Sequence, residues 1–262
     1  MPLPSYIQRV SREIDPQIRL LLVGPPKFGK TYAASTFPNP LFVDFDNGLT
    51  SRELREKNLA ILPFYDEQWL RKQYPKLHVA SVAPVKPASA LVTFLNSPEI
   101  MAMTVEDTLV LDSLSTISDA VKMELTPLIP VFKNDKEDGF WFWRQWSNWF
   151  RDFCTKLRSL RCHVVLTAHE QEIRDPETGR VTAYKFMLQG QEFSPRLPQF
   201  FTDIYRQTKE SKLLPGSADS LTKRVQESYL WQIKSSPQFV CETRMKTDKQ
   251  YVPANFSSFD YK

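Results

Sequence analysis

Cysteine is scarce in this 262-residue chain: Cys154, Cys162 and Cys241 make an odd count with no C-x-x-C or metal-ligand spacing. That excludes a disulfide framework and a zinc site. With no charged-then-apolar leader either, a reducing, cytoplasmic setting is expected, with the thiols serving as packing residues. Long apolar runs are missing too. None approaches the roughly 20 residues needed to cross a bilayer, so a soluble protein with no membrane partner is expected. Neither sign of charge dominates. Thirty-four Lys plus Arg against 30 Asp plus Glu leaves +4, which permits nucleic acid on a local patch without selecting it. Internal repeats and a Ser/His/Asp triad signal are also lacking. The 42% apolar fraction suffices for the core of one elaborated domain spanning residues 1–262.

Against these absences stands one specific motif. The apolar run Arg19 to Val23 leads directly into Gly24-Pro25-Pro26-Lys27-Phe28-Gly29-Lys30-Thr31, a complete G-x-x-x-x-G-K-S/T phosphate loop, and Thr31 to Phe37 after it reads as a helix. Gly24 and Gly29 let the backbone curl so that successive N–H groups point at a β-phosphate. Lys30 would bridge the β- and γ-phosphates, the Thr31 hydroxyl would hold Mg²⁺, and Tyr32 closes the cofactor-binding run. The cofactors expected are therefore ATP and Mg²⁺.

Turn-bounded apolar runs then alternate with helical patterns, the mark of a mostly parallel, twisted sheet flanked by helices. The runs are Pro40 to Gly48, Leu77 to Val82, Thr108 to Ser113 and Cys162 to His169, with a helix over Ala88 to Leu95. Their polar ends should converge on the phosphate loop, since ligands of open α/β sheets sit at the carboxyl ends of the strands. Asp112 then reads as a second Mg²⁺ position of Walker B type, assisted by Ser113, or else as the cap of a helix starting near Leu114. For a base or water-orienting group Asp46 is the first candidate and Asp44 the second, although an Asp-Asn-Gly turn would look similar. His169 and Thr167 end a core strand where a polar side chain can sense the γ-phosphate, or be merely structural.

Taken in order, these segments resemble the RecA-type ATPase core, and in particular the phage nucleotide-binding proteins that include the Sak-type single-strand annealing recombinases. The resemblance runs over roughly residues 17–206. It implies an α/β RecA-like P-loop NTPase core with β-hairpin insertions, acting on single-stranded DNA in recombination or replication. A ring or filament, a single-strand-binding or replication protein as partner, and the host cytoplasm for a phage-encoded protein go with it. Members of that group commonly carry Glu where this chain has Asp46, which implies slower hydrolysis. The resemblance also implies nucleotide between protomers, with a neighbour's basic residue completing the site. Arg244 and Lys246 stand at a suitable late position, or are solvated charges of an edge strand.

DNA-binding loops implied by the resemblance fall on two insertions, about residues 126–142 with Lys133 and Lys136, and 171–199 with Arg174, Arg180, Lys185 and Arg196. Asp175 to Gly179 reads as a hairpin turn, so the second is expected to be a β-ribbon, with Tyr184 or Phe186 available to stack on bases. Interspersed Glu170, Glu172, Asp175, Glu177 and Glu192 weaken its electrostatics. The stripe Trp143, Trp146, Phe150, Phe153, Leu157 and Leu160 predicts one apolar face of a helix, leaving Trp141 and Trp149 for packing, base stacking or another subunit. Lys209 to Ser228 reads as a mobile loop. The aromatic tail within 249–262 suggests docking on a neighbour. A nucleotide-gated protein-interaction module that binds ATP with little turnover and no DNA is the alternative function. A phosphoryl-transferring kinase is disfavoured by the lack of an arginine-rich lid.

Overall fold

Leu20 and Leu22 of the first apolar run face one layer of the protein and Leu21 and Val23 the other, and all four are fully buried. This two-sided burial is what a central parallel strand requires, because helices cover both of its faces. The computed structural model describes residues 17–49, 52–77, 84–131, 138–188, 194–214 and 224–259. Among these residues nine strands form one sheet: β1 (Arg19–Gly24), β2 (Pro40–Asp44), β3 (Ala60–Pro63), β4 (Thr108–Asp112), β5 (His163–Arg174), β6 (Val181–Phe186), β7 (Asp203–Leu214), β8 (Arg224–Gln232) and β9 (Tyr251–Pro253). Their order is β3-β2-β4-β5-β1-β7-β8-β9, with β6 paired to β5. From β3 through β7 the pairs are parallel; β6, β8 and β9 join antiparallel. The α/β class and mostly parallel sheet expected from the sequence are what the chain adopts.

Helices α1 (Lys30–Ala34) and α2 (Arg52–Arg55) lie on one face. On the other lie α3 (Glu67–Gln73), α4 (Pro87–Leu95), α5 (Pro98–Ala102), α6 (Leu114–Leu125) and α7 (Gly139–Ser159). Helix α4 matches the expected Ala88 to Leu95 segment. Helix α7 carries most of the aromatic core, burying Phe142, Trp146, Phe150, Phe153, Cys154 and Leu157. One member of the expected stripe is displaced: Trp143 is exposed, and Phe142 takes its place against the sheet. Trp141 and Trp149 pack partly buried against the same core, Trp149 stacked on Phe153 at 5.1 Å.

Three other expectations are corrected. Lys209 to Ser228 is not a mobile loop over its described part, because Lys209–Leu214 and Arg224–Ser228 are paired rungs of β7 and β8. The aromatic tail does not wait for a neighbour: Phe256 and Phe259 pack on Phe37, and Phe259 also stacks on Tyr205 at 5.6 Å, which covers the lower face of the sheet. Leu77 ends a single 3-10 turn, Pro75–Leu77, and the rest of the strand expected there lies outside the described residues. The β-ribbon expected after the strand ending at His169 is present as β5–β6, closed by the Asp175 to Gly179 turn. Lys133 and Lys136 of the first insertion lie outside the described residues. All three cysteines are buried and free, and burial pushes the thiols of Cys154, Cys162 and Cys241 up to about 12, 11 and 12. At those values they are inert packing groups.

Candidate functional site

Strand register alone brings the expected residues together, since Gly24 lies beside His169 and Asp44 beside Asp112 at the carboxyl edge of the sheet. Gly24 is required by close approach: a Cβ there would sit 2.9 Å from the Gln207 carbonyl oxygen on β7. Gly29 is required twice, by its φ of +80° and because a Cβ would meet the Tyr229 ring at 3.1 Å. The loop between them turns through Lys27 at φ 65° and delivers Lys30 and Thr31 to the first turn of α1. No side chain caps that turn, so its N–H groups face the loop as an anion nest. Tyr32 follows, 40% exposed, with Lys57 Nζ 4.3 Å above its ring.

Lys30 is buried, and its Nζ donates to the carbonyls of Gly24 and Pro25, both at 2.9 Å, and lies 3.4 Å from His169 Nδ1. Burial holds the Lys30 ammonium below the usual lysine range, opposed by the charges of Asp112, Glu170 and Asp46. Asp112 is fully enclosed. Thr31 Oγ1 donates to its Oδ2 at 2.7 Å and Thr167 Oγ1 to its Oδ1 at 2.5 Å, while burial pushes the carboxyl up against those two bonds. Its side chain therefore does not cap α6, whose N-cap is Ser113. The chemistry of the donor set fits Mg²⁺ and a triphosphate. A hydroxyl and a carboxylate stand within hydrogen-bond distance at the mouth of a glycine-lined nest, beside a lysine held by two loop carbonyls and the His169 ring. Among the described residues no cluster of three His, Cys, Asp or Glu exists to hold a metal alone.

The two acidic candidates on β2 and its following turn separate cleanly. Asp44 Oδ1 accepts the Asp46 and Gly48 N–H groups at 3.0 and 3.3 Å, so Asp44 makes the turn. Burial raises its carboxyl above the usual range. Asp46 is thereby aimed across the site: Thr116 donates to its Oδ1, and its Oδ2 lies 3.5 Å from His169 Nε2. Burial pushes Asp46 up, but hydrogen bonds from His169, Thr116 and Ser113 outweigh it and hold the carboxyl below the usual range. His169 thus stands between Lys30 and Asp46, with its backbone N–H tied to Ser115 Oγ at 3.2 Å. Sequence reasoning named Ser113 and Thr167 but missed Thr116 and Ser115, which a helical turn after Asp112 brings back over the strand end.

Other expected residues lie elsewhere. Arg244 is held at the opposite edge of the sheet, donating to the Gln17 carbonyl at 2.9 Å and lying 3.7 Å from Asp203 at the start of β7. Those partners keep Arg244 away from the phosphate loop of its own chain, and Lys246 beside it is exposed. On the ribbon, Arg174 pairs with Glu172 and donates to the Gly179 carbonyl, whereas Arg180 and Lys185 are exposed. Tyr184 and Phe186 are half-buried and already partly engaged: the Arg206 guanidinium covers a face of the Tyr184 ring at 3.8 Å, and Phe186 packs edge-on against Phe239. Arg206 also makes a bidentate pair with Glu170, both bonds 2.8 Å, locking the base of the ribbon to β7.

Tyr229 forms a wall of the phosphate loop that no motif announces. Its ring fills the space a side chain at Gly29 would occupy, so Tyr229→Ala frees the loop to move before nucleotide binds. Ordering it again costs about 1 kcal/mol, and the expected result is an ATP KM about fivefold higher with kcat little changed. Tyr229→Phe should restore the wild-type KM; steady-state kinetics on the pair check this.

A family profile described as "AAA domain" matches residues 16–223. No curated protein matches the chain by sequence. Among solved structures, the RadB recombinase is similar at 11% identity and a TM-score of 0.36, covering 87% of this chain and 92% of that one. The flagellar accessory protein FlaH from Methanocaldococcus jannaschii is similar at 10% and 0.34, covering 90% and 84%. An ATPase from the type III secretion system of pathogenic bacteria is similar at 9% and 0.36, covering 73% of this chain and 51% of that one.

Proposed function

The chain belongs to the AAA domain family, and from that premise we propose a RecA-like, Mg²⁺-dependent P-loop ATPase of phage type that acts on single-stranded DNA in recombination or replication. Self-association is part of the reading, with Arg244 or Lys246 of one protomer offered to the nucleotide of the next. The observation that supports it best is the continuity of β5, whose parallel half ends near His169, 3.4 Å from Lys30, and which runs on to Arg174 as an arm of the ribbon.

Lys30 would exchange its two loop carbonyls for the β- and γ-phosphate oxygens. Thr31 and Asp112 would hold Mg²⁺, which supplies charge neutralisation at those oxygens. Asp46 orients the attacking water, and His169, in contact with both Lys30 and Asp46, responds to loss of the γ-phosphate. A shift of His169 is carried along β5 into the ribbon, where Arg180 and Lys185 meet the DNA backbone. The ribbon's Glu172 and Glu177, with Arg174 already paired, favour a second reading: a nucleotide-gated module whose ribbon meets a protein.

ATP hydrolysis measured with and without single-stranded DNA separates the two, with Lys30→Ala as the blank. DNA should stimulate turnover severalfold. Turnover indifferent to DNA would overturn the recombination reading in favour of the protein-gated one.

A further inference from the structure

Helix α7 has a second face that the core does not use. Arg144, Arg151 and Arg158 recur at intervals of seven, opposite the buried Trp146, Phe150 and Leu157. A heptad interval drifts only about 20° on a straight helix, so the three guanidinium groups form one stripe with about 10 Å between successive members. All three are exposed, and Arg161 extends the stripe just beyond the helix end. Arg144, Arg158 and Arg161 have no carboxylate partner among the described residues; Arg151 is paired with Asp152 at 3.3 Å. Asp152 is the single acid of α7 against four bases, the fourth being Lys156, which leans away onto Met101. The stripe thus keeps its positive charge.

Its upper end is aromatic. Phe140 is 93% exposed, and Trp143 beside it 44%. A phenyl ring left in water one turn before a line of arginines has no folding role. Because α7 leads through Leu160 into the start of β5, it runs antiparallel to that strand. Its aromatic end therefore lies toward the edge of the sheet that carries the phosphate loop and the ribbon.

We propose that the outer face of α7 is a binding track for single-stranded nucleic acid, Arg144, Arg151, Arg158 and Arg161 meeting successive stretches of phosphate backbone while Phe140 and Trp143 stack on unpaired bases. This rests on the DNA reading above and adds a second contact surface to the ribbon. An acidic protein segment would satisfy the arginines, but it supplies no flat π-faces for the two exposed rings.

The test is fluorescence anisotropy of a labelled thymidine oligonucleotide with the full chain over a salt series. Arg144→Gln/Arg158→Gln should weaken binding about ten- to a hundredfold and flatten the salt slope by about 1.4, the value for two lost contacts to a single strand. Phe140→Ala should weaken it about tenfold with the slope unchanged. Basal ATP hydrolysis of both variants should equal wild type, since neither touches the nucleotide site. If the arginine pair leaves affinity and slope unchanged while Arg180→Gln/Lys185→Gln abolishes binding, the track is wrong and the ribbon reading stands. If wild type binds no oligonucleotide, both fall. Equal displacement of the oligonucleotide by polyglutamate and by unlabelled thymidine oligonucleotide would overturn the nucleic-acid assignment in favour of an acidic protein.

Discussion

Lys30→Ala should lower ATP affinity by about a hundredfold or more and hydrolysis by about 10²–10³, with the fold retained. The affinity loss follows from geometry. Nζ already sits among the loop carbonyls, 2.9 Å from Gly24 and Pro25, so a phosphate meets a preorganised cation and only the bond exchange is left. The retained fold follows from electrostatics. Burial lowers the Lys30 pKa, and a cation whose folded-state pKa is depressed costs stability that is fully present below that folded value and is relieved as pH rises past the ordinary lysine value. Truncation removes that cost together with two hydrogen bonds, so the two changes offset at neutral pH. Isothermal titration with ATP and urea unfolding check both halves. Unchanged ATP affinity in the variant would remove the site assignment altogether.

Much of the central sheet was legible because its strands are buried on both faces and so read as unbroken apolar runs. Leu20 to Val23, Leu109 to Leu111 and Val164 to Leu166 declare themselves without partners. Strands β7 and β8 did not, because beyond their contacts with β1 and β9 they are paired only with each other among the described residues. Lys209, Glu210, Ser211 and Lys212 have loop composition, and only cross-strand pairing with Arg224 to Tyr229 makes them extended. The tail failed for the opposite reason. Phe256 and Phe259 looked unpartnered in sequence, yet Phe37 and Tyr205, which they cover, lie more than 50 positions earlier.

Within the site, legibility followed local constraint. The phosphate loop is readable since Gly24, Gly29, Lys30 and Thr31 are held to fixed spacing by one backbone path. Asp112 is readable from its strand end, but its two hydroxyl donors come from α1 and β5, a join only the register reveals. Tyr229 could not be found at all by spacing, as it meets Gly29 from a strand two hundred positions away. The arginine stripe of α7 was hidden in plain view behind the tryptophans, whose apolar period drew attention to the other face.

Asp46→Asn is the sharper test of chemistry, because amide and carboxylate occupy the same space. Thr116 can still donate to the remaining oxygen, so the turn made by Asp44 and the approach to His169 should persist, and ATP affinity should stay within a few-fold of wild type. Turnover should fall by about 10²–10⁴. The amide cannot accept a proton from the attacking water and offers His169 no negative charge, whereas in the wild-type chain the imidazole lies 3.5 Å from a carboxylate kept ionised by its hydrogen bonds. That depressed pKa bears on the pH profile as well: Asp46 itself stays ionised below the ordinary carboxylate range, so the acid limb of wild-type hydrolysis should be set by Asp112, whose carboxyl burial pushes up, rather than by Asp46. Single-turnover hydrolysis of pre-bound ATP isolates the step from binding. Wild-type rates in Asp46→Asn would leave the carboxylate only a positional role, and the water would then have to be oriented by His169 with Thr116.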